Sequence, residues 1–289
     1  MKIGLFAPFT SPLATPAFIT AFARTAEEAG FHSLWAPEHV VLFDEYGSRY
    51  PYSEDGRLAM GRSGGVLEPW NALAFAAAVT SRIRLGTGIC LVPQRNPVYT
   101  AKEVATVDWL SGGRVDFGVG IGWLREEFAA LGVPWERRGA RTRAYLEVMR
   151  RLWTEQTASY DGEFYRLESA RQDPKPVQQP HPPIHFGGES DAALRRVADI
   201  GQGWYGFDLD PAGAKERIGA LEALLARRGR KREEIVVSVS PFRRRLTPES
   251  MAEYGDAGVD QLIVPARLRS IDDIEPVLSQ IAGELGTGD

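Results

Sequence analysis

The chain has 289 residues, 44% of them hydrophobic and 25% charged, which suits one large globular domain over residues 1–289 with a substantial core. A formal net charge of −4 lacks the basic excess of a nucleic-acid binder. Cys90 is the one cysteine, so no internal disulfide can form and a reducing cytoplasm fits. No uncharged apolar stretch approaches the roughly 18 residues of a membrane span, and Pro8, Thr10, Ser11 and Pro12 interrupt the first apolar run too early for a signal peptide.

Eight short apolar runs follow one another: Ile3–Ala7, Ser33–Ala36, Ile83–Leu91, Val115–Gly120, Ile184–Phe186, Trp204–Phe207, Ile235–Val239 and Gln261–Val264. They are too apolar for strands with one wet face, so they read as strands covered on both sides. Amphipathic segments alternate with them. The first places Phe18, Phe22, Ala26 and Ala29 on one face and ends at Gly30; the segment Tyr145–Trp153 repeats the pattern. A short polar residue before a proline marks four helix starts: Thr15-Pro16, Asn96-Pro97, Asp210-Pro211 and Thr247-Pro248. Ser270 with Asp273 resembles a capping box. Strands alternating with helices imply a parallel sheet, and eight such units predict an α/β fold of the (β/α)8 TIM barrel type. Two stretches break the rhythm, Asp44–Gly65 after strand two and Tyr160–Pro183 before strand five, and read as insertions. The first rises from the face where barrels carry their chemistry.

That face is built at the C-terminal ends of the strands. Strand two ends in Glu38-His39, a carboxylate beside an imidazole, suited to proton transfer or to anchoring its loop. Strand three ends Gly86-Thr87-Gly88-Ile89-Cys90, where small residues admit a ligand or merely fit a crowded interior. Strand four ends Gly118-Val119-Gly120-Ile121-Gly122-Trp123; its third glycine comes one residue early for a dinucleotide fingerprint. Strand five ends Gly187-Gly188-Glu189-Ser190 before a helix, which suits a phosphate if Glu189 and Asp191 point away, or else is an ordinary capped helix. His32, His181 and His185 are weaker candidates. No H-E-x-x-H or H-x-H closes a strand, so no metal site is expected. None of the five lysines closes a strand, and there is no G-x-S-x-G elbow, which disfavours Schiff-base and serine-nucleophile chemistry.

The segment Leu85–Pro97, then Leu110–Trp123 with its continuation to Val133, and Ile184–Ser190 resemble the luciferase-like monooxygenase superfamily, closest to the branch that depends on the deazaflavin coenzyme F420. The resemblance spans nearly the whole chain. It implies a barrel that binds coenzyme F420, or alternatively FMN, for hydride transfer to or from a small organic substrate. It implies a non-proline cis peptide at Gly88–Ile89 behind the ring, Gly120 and Gly122 beside it, and Gly187, Gly188, Glu189 and Ser190 at the phosphate. Glu38 and His39 match positions that face ring and substrate, with His39 binding the substrate or relaying a proton. Trp70, Tyr99 and Trp123 are candidate wall residues, and Asp44–Gly65 a lid. There is one departure: some relatives carry a catalytic glutamate where this chain has Trp123, and Glu126 and Glu127 follow one helical turn on, with their reach left open. The resemblance also implies a homodimer. Rival readings are an FMN-dependent monooxygenase, a non-catalytic flavin-binding protein, and a phosphate-sugar isomerase with Glu38 as base.

Overall fold

The computed structural model describes residues 1–58 and 64–287. Its eight barrel strands are β1 (Lys2–Phe6), β2 (Ser33–Ala36), β3 (Arg84–Thr87), β4 (Val115–Gly120), β5 (Ile184–Gly187), β6 (Gly203–Phe207), β7 (Val236–Ser240) and β8 (Gln261–Pro265). Each pairs in parallel with the next. The ring closes where β1 meets β8, with Lys2 opposite Gln261 and Phe6 opposite Pro265. This is the (β/α)8 barrel that the alternating pattern predicts.

The helices are α1 (Pro16–Glu28), α2 (Pro69–Val79), α3 (Pro97–Ser111), α4 (Arg125–Ala130), α5 (Arg138–Thr154), α6 (Asp191–Ile200), α7 (Pro211–Ala226), α8 (Pro248–Asp256) and α9 (Ile274–Leu285). All four polar-proline pairs open helices. Asn96 Oδ1 accepts from the Val98 N–H at 3.0 Å, and Asp210 Oδ1 from the Gly213 N–H at 2.7 Å. The sequence reading missed a fifth start, where Glu68 caps α2 ahead of Pro69 through a 2.8 Å bond from the Asn71 N–H. Glutamate is not a usual cap, so the pattern did not stand out.

Two expectations need correction. The run Ile83–Leu91 is not one strand: β3 stops at Thr87, the Gly88–Ile89 peptide is cis, and pairing with β4 resumes at Cys90–Leu91. The stretch Tyr160–Pro183 is not all loop. Ala158–Gly162 and Tyr165–Ala170 pair as an antiparallel hairpin that packs on α5. Its residues are largely polar and half exposed, so they carried no apolar run.

Trp35, Tyr205 and Ile263 fill the barrel interior, with Phe6, Ile89 and Phe207 above them. The Trp35 and Tyr205 rings stack, 5.2 Å apart and 3° from parallel. A Cβ on Gly86 would come within 2.6 Å of the Trp35 ring, so this position must lack a side chain. Lower in the barrel, Arg84 grips Asp116 with two bonds of 2.8 and 2.6 Å, and His185 Nε2 stands 3.5 Å from the same carboxylate. His185 therefore belongs to the core. His32 is half-buried, and burial and the charge of Lys2 hold its pKa down to about 4.

Candidate active site

A cavity of about 700 Å³ opens at the C-terminal ends of the strands. That is ample for a cofactor, since ligand pockets span roughly 300–1,000 Å³. Its walls include Tyr50, Tyr52, Trp123, Tyr205, Phe207 and Phe242. Glu38, His39, Gly88, Ile89, Gly122, Gly187 and Gly188 also line it, whereas Gly120, Glu189 and Ser190 stand behind the wall.

Ile89 explains two of these glycines. Cβ atoms on Gly120 and Gly187 would lie 2.3 and 2.5 Å from Ile89 Cδ1. The side chain thrown up by the break in β3 thus lies in a slot between the ends of β4 and β5. Gly122 and Gly188 have φ of 77° and 100°, a region that favours glycine, and turn the chain away from the strand ends.

Glu38 and His39 are neighbours in sequence but have different partners. The buried Glu38 carboxylate accepts from the Leu91 N–H and from Arg95 Nε at 2.6 Å. Arg95 also binds Glu68 at 2.5 Å and Glu103 at 2.9 Å. His39 instead sets Nδ1 3.2 Å from Glu127 Oε2. Glu127 also accepts from the Val40 N–H at 2.6 Å and from Gln94 Nε2 at 3.1 Å. Burial raises the Glu127 pKa, but the bonds from His39, Gln94 and Val40 outweigh it and hold it below the ordinary glutamate value. An ionised carboxylate only accepts, so it fixes the imidazole hydrogen on Nδ1 and leaves Nε2 as the open position. Neither Glu126 nor Glu127 lines the cavity; Glu127 contacts it only through His39. Glu127 lies on α4, which meets the segment after β2 at His39, Val40 and Val41.

Glu126, the other acid of that turn, holds the long loop. It accepts from the Gly47 N–H at 2.7 Å and from Ser48 Oγ at 2.7 Å. The loop then crosses the cavity mouth. Tyr50 packs edge-on against Trp123 at 5.1 Å on one side. On the other, Tyr52 packs against Phe207 at 4.8 Å and donates to Glu189 Oε2 at 2.9 Å. Residues 59–63, part of the stretch read as a lid, lie outside the described residues.

Glu189 is thus turned from the cavity, and its Oε1 accepts from the Phe207 N–H at 2.8 Å. Burial raises its pKa against the pull of these two donors. Ser190 caps α6, its Oγ accepting from the Ala193 N–H at 3.2 Å, and Asp191 pairs with Arg217 at 3.0 Å. The amides of Asp191 and Ala192 have no protein acceptor among the described residues. Of the wall candidates, Trp123 lines the cavity. Trp70 instead lies buried against Phe117 at 5.6 Å, and Tyr99 is 74% exposed at the start of α3, so neither forms a wall. Tyr50, Tyr52, Tyr205 and Phe207 were missed, because nothing in a run of tyrosines tells a cavity wall from ordinary packing. No group of three or more His, Cys, Asp or Glu side chains forms a metal site among the described residues.

The barrel with its cavity at the strand ends defines the class, a (β/α)8 protein, and comparison gives the particular family. The family model described as "Luciferase-like monooxygenase" matches residues 1–245, and the chain belongs to that family. An uncharacterised protein of Mycobacterium tuberculosis is 36% identical over 274 residues, 94% of each chain. An F420-dependent glucose-6-phosphate dehydrogenase of Amycolatopsis mediterranei is 33% identical, covering 65% of this chain and 53% of its own. An FMNH(2)-dependent dimethylsulfone monooxygenase of Pseudomonas putida is 32% identical over 53% of this chain and 42% of its own. The fold is also that of an F420-dependent secondary alcohol dehydrogenase, with a TM-score of 0.78, 17% identity, and 100% and 99% coverage.

Proposed function

We propose that this protein is an oxidoreductase that uses coenzyme F420 for hydride transfer to or from a small organic substrate. The observation that carries this reading is the His39–Glu127 pair on the wall of the cavity that Gly88, Ile89, Gly187 and Gly188 also line. The residues present fit a flat ring with an anionic tail. Aromatic walls suit the ring, and the free amides at the start of α6 suit a phosphate, since Glu189 is turned away. Ile89 would back the ring and Gly188 would lie toward the phosphate. When bound, the cofactor supplies the hydride acceptor or donor.

The protein handles the proton. With Nδ1–H held by Glu127, neutral His39 takes a hydroxyl proton at Nε2 as an alcohol is oxidised; protonated His39 returns it to a carbonyl oxygen in the reverse direction. Glu38 serves here by its bonds to Arg95 and Leu91, which position the turn before His39. The Tyr50–Tyr52 segment excludes water. Similarity to an FMNH(2)-dependent monooxygenase supports FMN as the alternative cofactor.

Titrating the purified protein with coenzyme F420 and with FMN, followed by absorbance and fluorescence, tests the choice. F420 is expected to bind and to be reduced or oxidised in the presence of an alcohol or carbonyl substrate. Tight FMN binding without F420 binding overturns the cofactor. Bound, reducible F420 with no turnover on any alcohol or carbonyl tried favours a carrier protein instead.

A further inference from the structure

Going around the barrel, the cavity has two different sides. Along β3, β4 and β5 it carries Ile89 and four glycines, Gly88, Gly122, Gly187 and Gly188. From β6 through β7 to β1 it carries phenyl rings: Phe207 at the end of β6, Phe242 after β7 and Phe6 at the end of β1. His39, after β2, stands where the two sides meet.

The three rings form one cluster. Phe207 and Phe242 lie 4.7 Å apart, and Phe6 lies 6.2 Å from each. Phe6 and Phe207 rest on the layer of Trp35, Tyr205 and Ile263 beneath. All three rings are half-buried. Apolar surface left partly open inside a cavity is stabilised when an apolar ligand covers it.

The cluster is held in place against backbone preference. Asp208, next to Phe207, has φ 56°, and Phe242 has φ 36°, a region that residues with side chains rarely adopt. Strain of this kind collects where a ligand is gripped. Two arginines lock the loops together: Arg243 Nε and Arg244 Nη1 each donate to the Asp208 carboxylate at 2.9 Å. Arg267 adds a 3.4 Å bond to the Phe242 carbonyl. These guanidinium groups are engaged outside the cavity, and among the described residues no lysine or arginine lines it. A phosphate or carboxylate on a substrate would enter that described lining without a cation to pair with, which is costly. An uncharged ring would cover the three phenyl faces.

We propose that Phe6, Phe207 and Phe242 form a specificity pocket that takes an uncharged aromatic or alicyclic group, carried by the substrate beside its reacting alcohol or carbonyl. This deepens the oxidoreductase reading and rests on it for the reacting group alone. Phe242 is the residue that sets the size of the group, because it sits on a loop rather than in the layer below.

A ketone cannot give a hydride to an oxidised cofactor, so binding is read without turnover. Calorimetry on the full chain is run with oxidised F420 or FMN present, and again without cofactor. Acetophenone or cyclohexanone is expected to bind saturably. 4-Acetylbenzoate, which adds a carboxylate to the same ring, is expected to bind about tenfold or more weakly. Phe242→Ala is expected to weaken acetophenone about tenfold, and to shift the preference between 2-acetonaphthone and acetophenone about tenfold toward the larger ketone. Circular dichroism checks the fold, and Phe242→Leu, with a smaller shift in the same direction, serves if the alanine variant fails to fold. Phe75→Ala, exposed on α2, is expected to bind like wild type. No saturation by either neutral ketone, 4-acetylbenzoate binding as tightly as acetophenone, a preference unmoved in the folded Phe242 variants, or equal loss in Phe75→Ala overturns the pocket. If neither cofactor binds while the ketones keep these preferences, the oxidoreductase reading falls and the pocket stands.

Discussion

At the residue scale the site turns on which neighbour each acid holds. Glu38 and Glu127 are both buried, yet one is committed to a guanidinium and the other to an imidazole. His39→Gln keeps a side chain of similar size but loses the proton-handling nitrogen. With cofactor bound, turnover is expected to fall by about 10²–10⁴-fold while cofactor affinity stays within a few-fold, measured by steady-state kinetics and titration on the same preparation. An unchanged rate would remove His39 from the chemistry. Glu127 also makes a statement about pH. Its folded pKa lies below the ordinary 4.5, so the stability it contributes is fully present above 4.5 and is lost as pH falls through the lower folded value. Wild type is therefore expected to exceed Glu127→Gln in urea midpoint at pH 7, with the gap closing below about pH 4. A gap independent of pH would show that charge is not what Glu127 supplies.

At the element scale, the break in β3 and the glycines of β4 and β5 form one device. Ile89 needs both Gly120 and Gly187, because a methyl at either point would overlap its Cδ1. Gly187→Ala is expected to cost about 1–3 kcal/mol of stability, the range for overpacking a filled interior. Adding Ile89→Val removes the Cδ1 that the new methyl strikes. Chemical denaturation of the two singles and the double should then show recovery of most of the loss, which sequence spacing alone would not suggest for residues 98 positions apart. Additive losses would place the strain elsewhere. The Pro-marked helix starts were legible because capping is local: Thr15, Asn96, Asp210 and Thr247 bond amides two or three residues on. The hairpin at Ala158–Ala170 was not, because its stability comes from packing on α5, which no local pattern announces.

At the scale of the whole molecule the cavity joins distant parts of the chain: the turns after β1, β2, β3, β4, β5 and β7 and the end of β6 all face it, and a loop of β2 is tied to α4 across its mouth. A ligand that binds only this assembled form must stabilise the entire barrel. At about 100 times its dissociation constant, the correct cofactor is expected to add about 2.7 kcal/mol, read as a rise in Tm, while the other cofactor adds little at the same concentration. Equal, small shifts with both would deny the cavity its selectivity.

The sequence by itself determined the eight strands, most helix starts and the strand-end positions where chemistry would sit, because burial on both faces and capping leave their mark within a few residues. It brought Glu38, His39, Gly88 and Gly187 to the right end of the barrel. Only the tertiary structure decided how the acids pair. Glu127 meets His39, 88 residues away, Arg95 takes Glu38, and Tyr52 takes Glu189. Such pairings depend on the path of loops and of α4 in space, and a hydrogen bond or ion pair carries no sequence period.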